Sequence, residues 1–274
     1  MRIQYGMEPQ VLETVEKKFA NLPLINVEVN INKITMVFDT GASMTIINES
    51  TLKKVSVIRD GKKVVGAGNL GATISSNTKI IEEIRIGNII ISDLEVIVVE
   101  DSRLDFGTDD HGNDLKIAGF LGWDIIQNFY WKVDRINNEI EVSTSAQTEK
   151  DKNLFWDNMP IISVYIGNEE SYFGFDTGNT ESILGSNFDA ATRKTYHEKE
   201  LMVGIDGREE MEVEKLETLT LKVCGNEIEL KNLTVLDRDV FPTTKYRVQG
   251  LLGADLIENK VLWLDYKSNK IIIK

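Results

Sequence analysis

The chain has 274 residues, and its 44 acidic and 31 basic side chains give a formal net charge of −13 at pH 7. This balance argues against a nucleic acid as partner, because phosphate backbones are bound by clustered Lys and Arg. A composition of 42 % hydrophobic and 27 % charged residues is typical of globular proteins and excludes a wholly disordered chain.

No apolar run is long enough to span a bilayer and no secretory signal core is present, so we expect a cytoplasmic protein without a membrane partner. The single cysteine, Cys224, excludes an intrachain disulfide and is typical of a reducing compartment. We expect its side chain to be a small buried group on a strand. With only two histidines, the chain offers no histidine zinc centre, and we expect no metal and no other cofactor.

In chain order, the first predicted element is a short amphipathic helix from Gln10 to Phe19, with Leu12 and Val15 on its apolar face. A second short helix is predicted from Ser50 to Val55. The remaining pattern is that of short strands rich in Val and Ile and interrupted by Gly, Asn and Asp. Pairs of such strands predict hairpins, which lie at residues 80–91, 130–142, 219–230 and 261–273.

The chain contains two copies of one unit. Residues 22–30 return in modified form at 159–167, and Phe38-Asp39-Thr40-Gly41 returns 137 positions later as Phe175-Asp176-Thr177-Gly178. Gly119-Phe120-Leu121-Gly122 returns 131 positions later as Gly250-Leu251-Leu252-Gly253. The shorter offset indicates an insertion in the first copy, which we place in a polar surface loop between Asp105 and Lys116.

The repeat predicts two β-rich lobes joined by an exposed connection. We divide the chain into an N-terminal extension (residues 1–20), a first lobe (21–145), a linker (146–155) and a second lobe (156–274). The expected fold class is all-β, with two lobes related by pseudo-two-fold symmetry and few short helices.

Each copy has Asp-Thr-Gly directly after a hydrophobic strand, which places a carboxylate at the tip of that strand. One such turn has an ordinary turn composition. Two at equivalent positions of a duplicated unit bring Asp39 and Asp176 together at the two-fold axis. Two unit charges about 3 Å apart repel by roughly 5 kcal/mol at an effective dielectric of about 20, or roughly 4 pKa units between the two protonation steps. One proton is therefore shared, leaving one base and one acid.

With these motifs the sequence resembles an aspartic protease of the pepsin and retropepsin superfamily. The turns Asp39-Thr40-Gly41 and Asp176-Thr177-Gly178 match the two active-site turns of that superfamily, and Phe120-Leu121-Gly122 and Leu251-Leu252-Gly253 match its second signature. The absence of disulfides and the alanine after Gly41 make the chain most similar to a single-chain tandem of two retropepsin-like units.

The resemblance implies a dyad of Asp39 and Asp176 that activates water against a peptide bond. It also implies that Thr40 and Thr177 cross-bond the two turns and that the backbones of Gly41 and Gly178 lie beside the substrate. Both aspartates are in one chain, so a monomer should suffice. A β-hairpin flap should contact the substrate through Val65, Gly66, Ala67 and Gly68. The equivalent Gly204 and Ile205 belong either to a second flap or to a surface hairpin.

Two departures from the family pattern bear on activity. The first flap lacks the tyrosine familiar in pepsins, and Ala42 stands where pepsins usually place a hydroxyl that stabilises the ionised aspartate. We therefore expect the dyad to keep its shared proton to higher pH and to work near neutrality.

The leading hypothesis is an intracellular aspartic endopeptidase that processes an extended protein segment, with pockets for apolar side chains on both sides of the cut. The alternative is a catalytically weak or inactive peptide-binding module with the same fold. A further possibility is that residues 1–20 inhibit the enzyme, with Lys17 or Lys18 reaching the dyad.

Two other groups of residues receive a structural interpretation. Asp105, Asp109, Asp110, His111 and Asp114 are interpreted as a solvated acidic loop, because their spacing does not fit a calcium site. Ser43 and Ser182 lie near the turns, but no histidine accompanies them in sequence, which argues against a Ser-His-Asp triad.

Overall fold

The computed structural model describes residues 1–6, 9–13, 15, 19–29, 31–68, 73–108, 112, 114–144, 152–190, 193–240 and 243–274. These residues form a nearly all-β fold of two lobes, each a closed six-stranded barrel, which confirms the predicted fold class. No helix within these ranges is long and apolar enough to cross a membrane.

The first half of the chain supplies one barrel and part of a sheet between the lobes. Its elements are β1 (Arg2–Gln4), β2 (Gln10–Val11), β3 (Leu24–Val29), β4 (Asn32–Phe38), β5 (Ile46–Asn48), α1 (Glu49–Leu52), β6 (Val57–Ala67), β7 (Thr73–Ile86), β8 (Ile89–Val99), β9 (Asp105–Thr108), β10 (Asp114–Lys116), β11 (Gly119–Leu121), α2 (Trp123–Ile126), β12 (Tyr130–Asp134) and β13 (Glu139–Ser143). The barrel has the order β8-β5-β11-β4-β3-β7 and closes by pairing of β7 with β8.

The second half repeats this plan. Its elements are β14 (Leu154–Trp156), β15 (Pro160–Ile166), β16 (Glu169–Phe175), β17 (Ile183–Leu184), β18 (Thr195–Gly204), β19 (Gly207–Val223), β20 (Asn226–Val235), β21 (Val248–Leu252), β22 (Val261–Asp265) and β23 (Lys270–Ile273). The barrel order is β15-β16-β21-β17-β20-β19, closed by pairing of β15 with β19. Short 3₁₀ helices at Asp101–Leu104 and Ala254–Ile257 complete the two halves.

A five-stranded sheet of order β2-β13-β12-β22-β23 joins the lobes. At its centre β12 and β22 are antiparallel, and Lys132 lies directly opposite Trp263. These two residues are 131 positions apart, the same offset that relates Gly119 to Gly250. The pseudo-two-fold axis therefore passes between equivalent strands, which is why equivalent turns of the two lobes meet. Trp123 of the first half also stacks on Trp156 of the second, with ring centroids 5.9 Å apart.

The hairpins predicted from the Val- and Ile-rich runs are confirmed as β7–β8, β12–β13, β19–β20 and β22–β23. The predicted helix at residues 50–55 is confirmed in shorter form as α1, where the Asn48 side chain accepts a hydrogen bond from the Thr51 amide at 2.9 Å. This cap stabilises the first turn.

The predicted helix from Gln10 to Phe19 is wrong. Gln10 and Val11 form strand β2 against Val142 and Glu141 of β13, and the Leu12 amide donates to the Ile140 carbonyl. Leu12, Val15 and Phe19 are nevertheless buried, as their spacing indicated. The spacing of the apolar residues correctly indicated which side chains are buried. The backbone conformation of Gln10 and Val11 is instead determined by pairing with the edge of strand β13.

Two further expectations need correction. Cys224 is exposed and lies in the tight β19–β20 turn with a φ of +51°, and its thiol donates to the Ile271 carbonyl. The stretch from Asp105 to Lys116 contains the paired strands β9 and β10 and is therefore not simply a loop. Asp109, Asp110 and His111, which belonged to the predicted acidic loop, lie outside the described residues.

Candidate active site

Buried strands carry the two aspartates to the interface between the lobes. β4 ends at Phe38 and β16 ends at Phe175, and both phenylalanines are fully buried. Strand β11 lies between β4 and β5, and β21 lies between β16 and β17. The Asp39 amide donates to the Leu121 carbonyl at 3.0 Å, and the Asp176 amide donates to the Leu252 carbonyl at 2.9 Å. Each aspartate is thus held by the strand that carries the second signature of its own lobe.

The second-signature glycines lie where backbones approach closely. A Cβ on Gly122 would lie 2.5–2.7 Å from backbone atoms of Met44 and Thr45. A Cβ on Gly253 would lie 2.8 Å from backbone atoms of Asn179 and Glu181. These separations are below any real Cβ contact, so only glycine fits without moving the segment that follows each Asp-Thr-Gly turn.

The threonines of the two turns bond across the interface. Thr40 Oγ1 donates to the Phe175 carbonyl at 2.8 Å and accepts from the Thr177 amide at 3.0 Å. Thr177 Oγ1 donates to the Phe38 carbonyl at 2.5 Å and accepts from the Thr40 amide at 3.1 Å. Both threonines are fully buried, so each hydroxyl satisfies two buried backbone groups that would otherwise have no partner.

This cross-bonding brings the two carboxyl groups together. A Cβ on Gly41 would lie 2.3–2.5 Å from the Asp176 carboxyl atoms, and a Cβ on Gly178 would lie 2.4–2.5 Å from those of Asp39. The Gly41 and Ala42 amides donate to Asp39 Oδ1, and the Gly178 amide donates to Asp176 Oδ1. Backbone amides therefore fix the orientation of both carboxyl groups, and the absent glycine side chains leave room for them.

The carboxyl groups of Asp39 and Asp176 are buried, and each lies against the glycine of the opposite turn. Burial raises the pKa of Asp39 well above its ordinary value, and the charge of Asp176 raises it further, against the lowering effect of the Ala42 and Gly41 amides. Burial also raises the pKa of Asp176, although the hydrogen bonds from Asp39, Gly178, Asn179 and Gly41 lower it. The pair therefore keeps a proton at a pH where an isolated aspartate has lost it.

A second pair of carboxylates, Asp124 and Asp255, is half-buried and supports the turns, although the sequence motifs assigned these residues no role. Thr45 Oγ1 donates to Asp124 and accepts from the Gly122 amide. At the equivalent place, Ser182 Oγ donates to Asp255 and accepts from the Gly253 amide. The repeat offsets of 137 and 131 could have revealed both pairs. Ser182 is thus a structural residue, which agrees with setting aside a triad.

A cavity of about 460 Å³ opens at the aspartates. Of the predicted substrate-contacting residues, Gly68, Gly204 and Ile205 line it. Val65 is 68 % exposed and Gly66 has open space at its Cβ position, and neither lines the cavity. Ala67 is the last residue of β6. Residues 69–72, which connect the flap strands β6 and β7, lie outside the described part of the chain.

The hairpin β18–β19 reaches across the cleft to the first lobe. Arg103 Nη1 donates to the Ile205 carbonyl at 3.0 Å, and Arg208 Nη2 donates to the Asp105 carbonyl at 3.0 Å. A Cβ on Gly68 would lie 2.3–2.7 Å from the Asp206 carboxyl group, so the residue that follows β6 contacts the turn between β18 and β19. The second hairpin therefore forms a wall of the cleft and is more than a peripheral surface element.

The cavity is also lined by three residues that the sequence did not predict to be near the aspartates: Phe19, Ala20 and Leu22. Phe19 packs edge-on against Phe106 at a centroid distance of 5.4 Å. Lys17 and Lys18, which were expected to reach the dyad if this segment is inhibitory, lie outside the described residues. Within the described ranges, no group of three or more His, Cys, Asp or Glu side chains is arranged to hold a metal ion.

Comparisons with known proteins agree with this architecture. Residues 25–127 match the family model of the gag-polyprotein putative aspartyl protease. No sequence among the curated proteins searched matches the chain. Among solved structures, the aspartic proteinase from Irpex lacteus matches with a TM-score of 0.58 and 14 % identity, over 97 % of both chains. The first lobe thus matches a retropepsin-like family and the whole chain has the two-lobed fold of an aspartic proteinase, which confirms the resemblance to the pepsin and retropepsin superfamily.

Proposed function

We propose that this protein is an aspartic endopeptidase in which Asp39 and Asp176 hydrolyse a peptide bond through an activated water molecule. The observation that carries the proposal is the pairing of two buried carboxyl groups, each against the glycine of the opposite turn, in the lining of a cavity between the lobes. The family match of the first lobe and the fold of the whole chain support the same class of chemistry.

The proposed mechanism uses the single shared proton. The ionised carboxyl group accepts a proton from water as the water oxygen attacks the scissile carbonyl carbon, and the protonated group donates its proton to the carbonyl oxygen. The tetrahedral intermediate collapses when the C–N bond breaks: the protonated carboxyl group donates its proton to the leaving amine, and the ionised one accepts the proton of a hydroxyl of the intermediate as the carbonyl re-forms. In each step one proton enters the dyad and one leaves, so the dyad returns to its starting state without a covalent intermediate.

The substrate class we propose is an extended segment of another protein. The cavity is lined by residues of both lobes and by Gly68 and the β18–β19 hairpin, which suits a chain lying between the lobes better than a compact small molecule. Both aspartates belong to one chain, so we propose a monomeric enzyme that needs no cofactor. If so, the specific activity is independent of enzyme concentration, whereas a dimer-dependent activity falls on dilution.

We further propose that the enzyme acts inside the cell on specific sites, at a pH near neutrality. The raised pKa values of Asp39 and Asp176 support a working range above that of an ordinary aspartate pair. A pH–rate profile with its maximum below about pH 4 would contradict this part of the proposal.

The test is incubation of the purified protein with a proteome-derived peptide library, with the products identified by mass spectrometry. Cleavage by the wild type, together with a loss of about 10²–10⁴-fold in Asp39→Asn and in Asp176→Asn, supports the proposal. Ser43→Ala, near the turn but outside the dyad, serves as the control. Equal cleavage by the wild type and both Asn variants indicates a contaminating protease and refutes the assignment.

The alternative is a peptide-binding module with little or no catalysis. The same library distinguishes it, because retained peptides without products indicate binding alone. The pairing of both carboxyl groups with raised pKa values favours the enzyme over the module.

A further inference from the structure

The two halves of the cleft differ in chemistry although their backbones are equivalent. The first-lobe half is lined by Ala42, Ile46, Phe106 and Phe120, all apolar. The second-lobe half adds three polar residues, Glu181, Glu200 and Thr234, to an apolar lining of Ile183, Leu201, Met202, Val203 and Ile205. This contrast departs from the expectation of apolar pockets on both sides of the cut.

The difference is located at positions related by the repeat. Thr78 lies opposite Ile97 where β7 pairs with β8, and 137 positions later Lys215 lies opposite Thr234 where β19 pairs with β20. The same offset relates Met44 to Glu181. At these three positions the second lobe has Lys215, Thr234 and Glu181 where the first lobe has Thr78, Ile97 and Met44.

Lys215 lies beneath the second-lobe side of the cavity and contacts the polar residues of that side. Its side chain is only 3 % exposed, and its Nζ lies 2.8 Å from Glu200, 2.9 Å from Thr234 Oγ1, 3.7 Å from Glu198 and 3.8 Å from Glu181. Thr234 Oγ1 in turn donates to Glu200 Oε2 at 2.9 Å. The lysine charge is therefore buried, whereas Glu181 and Glu200 face the cavity.

Three carboxylates converge on the Lys215 ammonium group, whose single charge cannot balance all three. The pKa of Glu181 is raised, chiefly by burial. The charges of Glu200, Asp255 and Glu198 raise it further, whereas the charge of Lys215 lowers it. A carboxylate has about four acceptor sites, so Glu200 keeps acceptor capacity after its bonds to Lys215 and Thr234. The second-lobe side of the cavity can therefore accept hydrogen bonds from a cationic side chain.

We propose, building on the proposed peptidase function, that the second-lobe half of the cleft is a subsite for a lysine or arginine side chain of the substrate, bound between Glu181 and Glu200. The first-lobe half takes an apolar side chain. The enzyme then prefers segments with an apolar residue on one side of the scissile bond and a basic residue on the other. Lys215 acts as a positioning residue that holds Glu200 against β19.

The test starts from a cleaved peptide in which lysine, norleucine or glutamate replaces, in turn, each residue next to the cut. Norleucine matches the aliphatic length of lysine without its charge. At one position we expect kcat/KM to be at least about tenfold higher for lysine than for norleucine, and lowest for glutamate. Glu181→Gln and Glu200→Gln should each reduce this lysine-to-norleucine ratio of kcat/KM severalfold. A thermal unfolding midpoint close to that of the wild type reports that the variants fold.

The matched control is Glu198→Gln, which removes a carboxylate 3.7 Å from the same ammonium group but does not line the cavity. It should keep the lysine preference within about twofold of the wild type. Equal cleavage of the lysine and norleucine peptides by the wild type overturns the subsite. An equal loss of kcat/KM for the lysine and norleucine peptides in the Glu181→Gln and Glu200→Gln variants also overturns the subsite.

Peptide affinity measured by fluorescence anisotropy on Asp176→Asn separates this inference from the proposed function. Tighter binding of the lysine peptide, reduced by adding Glu200→Gln, supports the subsite even if the wild type cleaves nothing. Cleavage without any lysine preference supports the peptidase and rejects the subsite.

Discussion

The two lobes are alike where the backbone holds the aspartates and different where a substrate would enter. The amide of Trp123 donates to the Ala42 carbonyl at 2.7 Å, and the equivalent Ala254 amide donates to the Asn179 carbonyl at 2.8 Å. The cross-bonds of Thr40 and Thr177 are likewise mirrored. Symmetry is retained in the part of the molecule that has to place two carboxyl groups together.

The hairpins over the cleft have diverged. β18 and β19 pair without interruption from Thr195 to a two-residue turn at Ile205 and Asp206, whereas the register of β6 and β7 shifts twice. Among the described residues, the additional hairpin β9–β10 occurs in the first half of the chain and has no counterpart in the second. A peptide chain has a direction, so a symmetric site meets different side chains on its two sides. Such a site becomes selective when the hairpins that line the cleft differ while the backbone that holds the two aspartates stays the same in both lobes.

The largest predicted effect comes from breaking the symmetric cross-bonds. Thr40→Val leaves the Phe175 carbonyl and the Thr177 amide buried without a partner, at about 1–3 kcal/mol for each group, or roughly 2–6 kcal/mol of unfolding free energy. Thr177→Val should cost a similar amount. Denaturant unfolding measures both.

The matched variant Thr40→Ser keeps the hydroxyl and loses one methyl group, so it should cost only about 1 kcal/mol. A loss for Thr40→Val no larger than that for Thr40→Ser would show that the cross-bonds do not stabilise the lobe interface.

The next largest effect is on the pH dependence of the unfolding free energy, to which the equivalent carboxyl groups of Asp124 and Asp255 contribute. Burial raises the pKa of Asp124 to about 6 and raises that of Asp255 as well. A raised carboxyl pKa means that the stability present below pH 3.8 is lost as pH rises toward the folded-state pKa. For Asp124, a shift of about two units corresponds to about 3 kcal/mol.

Asp124→Asn removes this titration and retains an acceptor for Thr45. Its unfolding free energy relative to the wild type should therefore increase by about 3 kcal/mol between pH 4 and pH 7, because other titrating groups cancel in the difference. Asp255→Asn should show the same sign with a smaller amplitude. A relative stability that stays constant from pH 4 to 7 would mean that Asp124 titrates normally.

A smaller effect concerns the residue after the first active-site glycine. Ala42→Ser adds a hydroxyl donor near Asp39 Oδ1, which already accepts from the Ala42 amide at 2.9 Å. One such bond to the ionised form is worth about 1 kcal/mol, or about 0.7 pKa unit, so the pH–rate profile should move toward acid by about that amount. Ala42→Cys, similar in size but a weak donor, should move it less. Identical profiles for the wild type and both variants would rule out this explanation of a near-neutral optimum.

The smallest effect tests the contact of the second hairpin with the first lobe. Arg103→Ala removes the bond to the Ile205 carbonyl and Arg208→Ala removes the bond to the Asp105 carbonyl. Because both are exposed, each should raise KM a few fold and change stability by less than about 1 kcal/mol. Lys222→Ala, whose ion pair with Glu227 lies at the β19–β20 turn, is the control and should leave KM unchanged. A kcat loss without a KM change would assign the arginines a different role.

The repeat made the fold and the Asp-Thr-Gly turns predictable, because both depend on local motifs that occur twice. The conformation of Gln10 and Val11 was not predictable, since it depends on the edge of β13, which forms only when distant segments assemble. Cys224 lies beyond the last buried residue of its strand, where the turn geometry decides exposure. Lys215 left a detectable signal, because it is in phase with the buried Val213 and Leu219 of β19.

The most direct test of the account is a ¹³C NMR titration of the Asp39 and Asp176 carboxyl carbons, assigned through the Asp39→Asn and Asp176→Asn variants. If the two groups share one proton, they titrate in two separate steps, the upper of which lies well above pH 4, and both resonances respond to both steps. Two independent titrations near the ordinary aspartate pKa would show that no proton is shared and would contradict the proposed hydrolysis.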